Sequence, residues 1–318
     1  MQKLIDLKKR MRTVENIQSV TRTLATVSSA KLSRTRRRAA GLREYAQEMR
    51  DILHQQQRYL SGTDAAALAA ISPFFVTHEP ARTVTLLFIT GDRGMCGNYN
   101  QAASRLALGF IEKRQEAGAA VAVIAKGAKG ERYLRRKTDA QVVFADGWTR
   151  AGVTTEDVEG LYALATERFL SGQADEIWAL YTRFYSPLKR VPRLVKLLPV
   201  AAERLAGAAG DGAGPALAWS YEPDFGSVVD ELVSQFVHIQ IEDVLLESYA
   251  SEQGARMVTM EEATERADRS LHEMRMRYNR LRRESITTDL ISVLFASQMR
   301  SDEEADDRAA ADETVGAG

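Results

Sequence analysis

The sequence predicts a mixed fold in which a coiled coil, formed by the two ends of the chain, carries an inserted α/β domain. Two observations support this fold class: a heptad pattern lies at each end, and all seven prolines lie between Pro73 and Pro223. Proline disrupts the interior of a helix, so only the two ends are free to form long helices. With 318 residues, of which 45% are hydrophobic, the chain can bury a sizeable core.

The N-terminal segment, residues 1–72, is predicted to be a coiled-coil helix. Apolar or small residues recur there in alternating steps of three and four, which is the a/d seam of a coiled coil. The seam residues are Leu4, Leu7, Met11, Val14, Gln18, Thr21, Ala25, Ser28, Leu32, Thr35, Ala39, Leu42, Ala46, Met49 and Leu53. One helix cannot bury such a stripe alone, so a partner helix is required. Basic residues far outnumber acidic ones in the same segment.

Residues 73–200 are predicted to form the α/β domain. Apolar, β-branched runs typical of buried strands occupy 83–90, 119–125, 141–144, 176–185 and 190–200. Helical patterns lie between them at 98–117, at 126–136, and from Thr154 or Thr155 to Phe169 or Leu170. This alternation predicts a Rossmann-like domain with a mostly parallel sheet, and Pro192 places the last strand at an edge.

The remaining chain divides into a linker, a second helix and a tail. Residues 201–222 are rich in Gly, Ala and Pro, which predicts a flexible linker. Residues 223–300 could form one helix of about 75 residues and about 110 Å, antiparallel to the first. Its seam residues are Phe225, Val229, Leu232, Phe236, Ile239, Asp243, Leu246, Ala250, Gln253, Met257, Met260, Thr264, Ala267, Leu271, Met274, Tyr278 and Leu281. Residues 301–318 are acidic and poor in apolar residues, which predicts a disordered tail.

The glycine-rich loop Gly91–Gly97 is the strongest candidate for a ligand site. It follows a strand and precedes a helix, where phosphate groups bind in open α/β folds. Its spacing, however, is neither Gly-x-Gly-x-x-Gly nor a Walker A loop. The alternative is a tight turn that packs against neighbouring structure.

Other residue patterns argue against catalysis and metal binding. Cys96 is the single cysteine and has no evident histidine partner, and the four histidines lack metal-ligand spacing. We therefore expect no catalytic, cofactor or metal site. The arginine-rich stretch 34–38 has almost no aromatic neighbours, which favours a solvated face or an acidic protein partner over nucleic acid. No apolar run reaches the ~18 residues of a membrane span, so we expect no direct membrane insertion.

Three motifs, in order along nearly the whole chain, resemble the γ-subunit family of F-type ATP synthases. Val20–Leu32 (VTRTLATVSSAKL) is similar to the N-terminal helix signature of that family, and Thr90–Asn100 (TGDRGMCGNYN) to its Ser-Asp-Arg-Gly-Leu-Cys-Gly-Gly-Phe-Asn loop. Glu247–Thr264, with Tyr278–Arg280 and Ser285–Thr287, resembles the C-terminal helix. The architecture of the family, an antiparallel coiled coil with an inserted α/β domain, agrees with the heptads and prolines.

The resemblance implies a non-catalytic rotor shaft. Its partners would be the α and β subunits of the catalytic ring, the ε subunit and the membrane c-ring, at the cytoplasmic face of a bacterial plasma membrane. H⁺ or Na⁺ transport would thereby be coupled to ATP synthesis or hydrolysis. The rotor contacts that the resemblance implies are Arg256, Arg283, Thr287, Asp289, Leu290 and Leu294. The partner-facing loop that it implies contains Asp92, Arg93, Gly94, Cys96 and Gly97.

Departures from the family pattern fall among these contacts. The family usually has Met-Lys-Met at Leu24–Thr26 and Gln at Arg283, and the acidic tail is unusual. The resemblance therefore leaves open a divergent, second rotary ATPase. An alternative of another class is a coiled-coil scaffold whose α/β domain binds a nucleotide or other phosphate ligand.

Overall fold

The computed structural model describes residues 2–60, 65–201, 222 and 224–315. These residues fall into two compact units. The central unit spans Leu24–Met260, and the terminal unit combines Met1–Thr23 with Glu261–Gly318. The two long helices, α1 (Gln2–Leu60) and the last helix (Phe225–Val315), each contribute residues to both units.

A five-stranded sheet forms the middle of the central unit. Its strands are β1 (Thr83–Ile89), β2 (Ala120–Lys126), β3 (Gln141–Asp146), β4 (Glu176–Phe184) and β5 (Arg190–Leu198). The spatial order is β3-β2-β1-β4-β5, in which the first four strands are parallel and β5 is antiparallel to β4. The predicted mostly parallel sheet is confirmed, and so is the edge position of the strand that contains Pro192.

Helices connect the parallel strands as predicted. They are α3 (Tyr99–Glu116), α4 (Ala128–Lys137) and α5 (Thr155–Leu170). A short helix, α2 (Ala65–Ile71), and a 3₁₀ turn at Pro73–Phe75 precede β1. Thr154 is the N-cap of α5, because its hydroxyl accepts a hydrogen bond from the Asp157 backbone N–H while the Asp157 carboxylate accepts one from the Thr154 N–H. This capping box confirms the predicted start of the helix.

Side chains of β1 alternate between two apolar layers, one on each face of the sheet. Leu86 and Phe88 pack with buried residues of α3 and α4. Leu87 and Ile89 pack in the larger core, which contains α5 and the first part of the last helix, here α6 (Phe225–Val315). The first part of α6 therefore serves as a covering helix for the sheet.

The predicted seams are confirmed residue by residue. Every seam position of α1 and of α6 whose side chain is described is buried or partly buried; Leu53 lies outside the described side chains. In the terminal unit, Thr21 Oγ1 lies 2.7 Å from Thr264 Oγ1, and Arg275 pairs with Glu15 at 3.1 Å. Residue numbers thus rise along one helix as they fall along the other, so the pair is antiparallel, as predicted.

One predicted boundary is contradicted by the structure, and two others fall on segments that lie partly or almost entirely outside the described residues. The described part of the first helix ends at Leu60 and α2 begins at Ala65; residues 61–64 lie outside the described residues, so a single helix over 1–72 stays a prediction. The predicted disorder of residues 301–318 is wrong for most of that segment, because α6 continues to Val315. Alanine and glutamate, which are common there, are good helix formers even without a core. The predicted linker lies almost entirely outside the described residues.

Candidate functional site

The loop between β1 and α3, residues 90–98, lies at the carboxyl end of the sheet and is held by Asp92. The Asp92 carboxylate accepts hydrogen bonds from the Ala128 N–H at 2.9 Å and from the Trp148 N–H at 2.6 Å. It therefore joins the loop to the first residue of α4 and to the segment after β3. Trp148 adds a second tie, since its indole N–H donates to the Thr90 carbonyl at 2.6 Å.

The start of α4 is the place where a phosphate would be expected to bind, and its N–H groups are already used. Besides Ala128, the Lys129 N–H donates to the Gly91 carbonyl at 3.1 Å, and the Gly130 N–H donates to Thr90 Oγ1 at 3.0 Å. An aspartate and two loop oxygens thus occupy the acceptor positions that a phosphate would take. The geometry favours the packed-turn interpretation of this loop over the phosphate-binding one.

The loop approaches α6 closely at two glycines. A Cβ atom on Gly91 would lie 2.7 Å from the carboxyl group of Glu252, and one on Gly97 would lie 3.2 Å from Thr259 Oγ1. Gly97 also has φ of +58°, which a side chain rarely adopts. Gly97 is therefore favoured by its backbone conformation, and a side chain at Gly91 would displace the Glu252 carboxyl group.

Cys96 points inward. Its side chain is 2% exposed, packs with Tyr99 and Ala255, and has its sulfur 3.3 Å from Asn100 Nδ2. Burial raises the pKa of the Cys96 thiol, and the nearby Glu252 carboxylate raises it further, so the thiolate is disfavoured. Among the loop residues named from the sequence, Arg93, Gly94 and Gly97 are exposed and Asp92 is partly buried.

Arg256 lies directly beneath the loop. The structure therefore places one predicted rotor contact next to the predicted partner-facing loop. Its guanidinium pairs with Glu252 at 2.5 Å and lies 3.4 Å from the Gly94 carbonyl. Both side chains of the pair are buried. Burial raises the pKa of the Glu252 carboxyl group, which outweighs the opposite effect of Arg256 beside it. Arg256, a predicted rotor contact, therefore has its guanidinium group in a buried ion pair within the chain.

An open cavity of about 690 Å³ adjoins this ion pair. Lys31, Arg93 and Arg150 lie on its lining with Trp148 and Tyr249. Burial lowers the pKa of Lys31, and the charges of Arg93 and Arg256 lower it further. The lining is therefore strongly cationic, apart from Asp92 and Glu252.

Sequence reasoning missed the polar contacts between α6 and the end of β4. Beyond Leu180, β4 has no paired residue on β1, so its backbone groups need other partners. Ser251 Oγ donates to the Thr182 carbonyl at 2.8 Å, and the Phe184 N–H donates to the Glu247 carboxylate at 2.7 Å. Ser248 Oγ accepts from the Thr182 N–H at 3.3 Å and lies 2.8 Å from the Tyr99 hydroxyl. Side chains of α6 thus make the hydrogen bonds to this part of β4 that a neighbouring strand would otherwise make.

A second feature that sequence reasoning missed is the buried Lys126. Its ammonium group lies 2.5 Å from Asp146 and 2.6 Å from Asp157, and 5.4 Å from the centre of the Trp148 ring. Lys126 therefore links the ends of β2 and β3 to the first turn of α5. The only sequence signal was a lysine at the end of an otherwise apolar strand.

The other predicted rotor contacts lie in the terminal unit and are all exposed. They are Arg283, Thr287, Asp289, Leu290 and Leu294. Ile286, Ile291, Val293 and Phe295 are also exposed, so an apolar surface continues along this part of α6. No seam position of either helix falls in this stretch.

Two features of the described residues bear on other functions. No group of three or more His, Cys, Asp or Glu side chains in the described part of the chain is placed to hold a metal ion. Among the helices that the structure describes, none combines the length and the hydropathy that a membrane crossing requires.

Comparison with known proteins gives a consistent result. A family profile described as ATP synthase matches residues 3–297. The ATP synthase gamma chain of Heliobacterium modesticaldum is 32% identical over 294 residues, which cover 91% of this chain and 96% of that protein. The ATP synthase gamma chain of Chelativorans sp. is 31% identical over 306 residues, which cover 94% and 99%.

Solved structures agree in fold. The rotational state 3 structure of the Euglena gracilis mitochondrial ATP synthase (OSCP/F1/c-ring) contains a chain that aligns with a TM-score of 0.59 at 15% identity, covering 93% of this chain and 94% of that one. A chain in the central stalk/c-ring structure from Tetrahymena thermophila aligns with a TM-score of 0.54 at 19% identity, covering 77% and 99%. These identities support a shared fold alone. The extent of the profile match and the identity to the two gamma chains carry the assignment: this chain belongs to the ATP synthase gamma-chain family.

Proposed function

We propose that this chain is the central rotor shaft of an F-type ATP synthase. It couples ion translocation in the membrane sector to ATP synthesis or hydrolysis in a ring of α and β subunits. Its other partners are the ε subunit and the membrane c-ring. The chain itself is a non-catalytic subunit.

The observation that carries this proposal is the exposed apolar stretch Ile286–Phe295 of α6 in a chain of this family. From Ile286 to Phe295, six large apolar side chains are between 47% and 67% exposed. A soluble protein rarely exposes a continuous apolar surface unless another protein covers it. A shaft end that turns inside a collar of subunits needs such an uncharged surface, because charged contacts would hold one angle more tightly than the others.

The remainder of the chain provides what a shaft needs to transmit force. In the central unit, α6 is fixed to the sheet by Glu247, Ser248 and Ser251 and to the loop after β1 by Glu252 and Arg256. Directional hydrogen bonds between buried groups resist sliding better than apolar contact does. The ring of α and β subunits has several conformational states, and the shaft favours different states because its contacts with the ring differ with the angle of rotation. Such differential contact is the physical requirement for coupling.

The residue roles and the location belong to this proposal. Arg283, Thr287, Asp289, Leu290 and Leu294 contact the catalytic ring, and Arg256 does so through the loop that it supports. The exposed residues Arg93, Gly94 and Gly97 of that loop face a partner. The complex lies at the cytoplasmic face of a bacterial plasma membrane, and the chain is peripheral to that membrane.

Reconstitution with the α and β subunits of the same organism tests the proposal. The three chains are co-expressed, and ATPase activity of the purified assembly is measured with and without this protein. We expect co-purification, activity that depends on this chain, and weaker activity when residues 286–318 are removed. Failure of this chain to co-purify with α and β would refute the rotor role and favour the scaffold alternative. Tight ATP binding by the isolated chain is the measurement that would distinguish a scaffold from a rotor.

A further inference from the structure

The β4–β5 hairpin and the facing side of α1 form a basic groove. Its floor is apolar and consists of Leu32, Phe184, Ala250 and Met257, which pack together. Arg36, Arg37, Arg43 and Tyr185 lie around this floor, and the space enclosed is about 550 Å³. The groove lies entirely within the central unit.

Cations on the hairpin extend the rim of the groove. Three of them surround the ring of Tyr185: the Arg183 guanidinium lies 5.3 Å from the ring centre, the Lys189 ammonium 5.3 Å and the Arg193 guanidinium 5.8 Å. On α1, the Arg36 guanidinium lies 5.6 Å from the centre of the Phe184 ring. Aromatic rings thus hold several like charges near one another.

These cations lack acidic partners. Within the described part of the chain, Arg36, Arg37, Arg183, Lys189 and Arg193 make no ion pair, whereas Arg43 uses its charge on the buried Glu247. Arg36 and Arg37 line the groove itself, and Lys189 lies beside Tyr185 at its edge. Arg183 and Arg193 reach the Tyr185 ring from a neighbouring cavity whose lining includes Asp243 and Glu247. The unpaired charges nearest the groove are therefore positive. Such a field attracts a negatively charged partner and rejects a positive one.

We infer that the basic groove docks an acidic, amphipathic helical segment of a protein partner. Apolar side chains on one face of that segment would enter the space above Leu32 and Met257, as in other helix-in-groove complexes. Carboxylates on its flanks would meet the rim, where arginine binds them with two parallel hydrogen bonds. Leu188 at the tip of the hairpin is 81% exposed and extends the apolar contact.

The shape of the groove favours a protein segment over a lipid surface. Its apolar floor is recessed behind the cationic rim, between a helix and a hairpin, so a flat bilayer could contact only the rim. A helix about 10 Å across can reach the floor and the rim together. This inference goes beyond the rotor proposal and does not depend on it, because the groove belongs to the isolated chain.

Binding of a designed peptide to the full-length chain tests the inference. The probe is a fluorescein-labelled helical peptide of about 18 residues, with Leu at i, i+3, i+4 and i+7 and Glu on the flanks, and binding is followed by fluorescence anisotropy. We expect saturable binding that weakens as salt is added. Replacing Glu by Lys, or Leu by Ser, in the peptide should abolish it.

Charge-reversal variants locate the site. Arg37→Glu and Lys189→Glu should each weaken binding by about tenfold or more. Arg136→Glu, an equivalent change at an exposed arginine on α4 outside the groove, should leave the affinity within about twofold. Far-UV circular dichroism checks that all three variants remain folded, and p-benzoylphenylalanine in place of Leu188 should cross-link to the peptide.

Each remaining outcome counts against the inference. Equal binding to the groove variants and to the Arg136→Glu variant would place the peptide elsewhere. Binding of the Lys peptide, or of the Ser peptide, would mean that charge or apolar contact is not used. Binding to vesicles of anionic phospholipid, with no binding of the Glu peptide, would replace the protein partner with a membrane.

Discussion

Two ion pairs with the same spacing on the same helix have opposite surroundings. Glu252 and Arg256, in the central unit, are 6% and 9% exposed at the side chain and lie 2.5 Å apart. Glu262 and Arg266, in the terminal unit, are 57% and 73% exposed and lie 3.4 Å apart. The heptad pattern runs through both stretches and gives no sign of this difference.

The difference shows that the seam of α6 and its other faces are buried by different contacts. Seam residues are buried or partly buried in both units, because the heptad pattern brings the two helices together. The other faces are buried only where the sheet and the loop after β1 pack on them. In the central unit those faces carry Glu247, Ser248, Ser251 and Glu252, which all contact the inserted domain.

The largest expected effect comes from placing a charge in the seam itself. Met260 is buried, whereas Met276 lies off the seam and is exposed. Met260→Lys should lower the free energy of unfolding by about 4 kcal/mol, because an ammonium group would enter an apolar contact without a partner. Met276→Lys should change it by less than about 0.5 kcal/mol. Urea denaturation followed by far-UV circular dichroism measures both, and equal midpoints would mean that the assigned heptad register is wrong.

The two ion pairs provide the second test. Arg256→Gln should cost about 3 kcal/mol at pH 8, because it leaves the buried Glu252 carboxylate without its cation. Arg266→Gln, the matched change in the exposed pair, should cost no more than about 0.5 kcal/mol. The unfolding free energies of the two variants, measured in parallel, compare the regions directly.

The cost of Arg256→Gln should also depend on pH. Burial raises the folded-state pKa of Glu252 above its ordinary value, and loss of Arg256 raises it further. For an acid with a raised folded-state pKa, stability is fully present below the unfolded-state pKa and is lost as the pH rises through the folded-state pKa. The deficit of the variant should therefore shrink as the pH is lowered from 8 to about 5. A deficit that is constant with pH would show that Glu252 is not the group left unpaired.

Ser251 and Ser292 allow a similar comparison of a buried and an exposed contact on α6, with a smaller expected effect on stability. Ser251 Oγ donates to the Thr182 carbonyl on β4, whereas Ser292 Oγ donates to the Thr288 carbonyl of its own helix, both near 2.9 Å. Ser251→Ala should cost about 1 kcal/mol, since it leaves a buried carbonyl unpaired. Ser292→Ala should be neutral or slightly stabilising, because alanine is the better helix former. A Ser251→Ala variant as stable as the parent would mean that the contact to β4 does not help to hold α6 on the sheet.

The parts of the molecule that the sequence predicted are those that local patterns determine. The steps of three and four predicted the burial of Ala25 and Leu271, the continuous apolar run predicted that β1 is buried, and Thr154 predicted the start of α5. In each case the deciding neighbours lie within a few residues along the chain or at a fixed period.

What the sequence did not predict depends on gaps in the sheet and on distant packing. The contacts of Ser248 and Ser251 exist because β4 extends beyond its pairing with β1, which no local pattern records. The burial of Lys126 needs Asp146 and Asp157, which lie on two other elements. The residues that pack on the Cys96 thiol likewise include Ala255 of α6, which is distant in sequence.

The smallest expected effect on stability is in the exposed apolar stretch Ile286–Phe295 of α6, where the comparison of regions can be extended to function. Leu290 and Leu294 are exposed, so the double change Leu290→Ser with Leu294→Ser should leave the free energy of unfolding within about 0.5 kcal/mol of the parent. If a collar of partner subunits covers these side chains in the assembly, the same variant should lose co-purification with α and β or lose ATPase activity that depends on this chain. Ser251→Ala should do the reverse, with reduced stability and retained assembly. A Leu290/Leu294 variant that assembles and works normally would mean that this surface makes no contact that matters for rotation, and the rotor proposal would lose its main structural support.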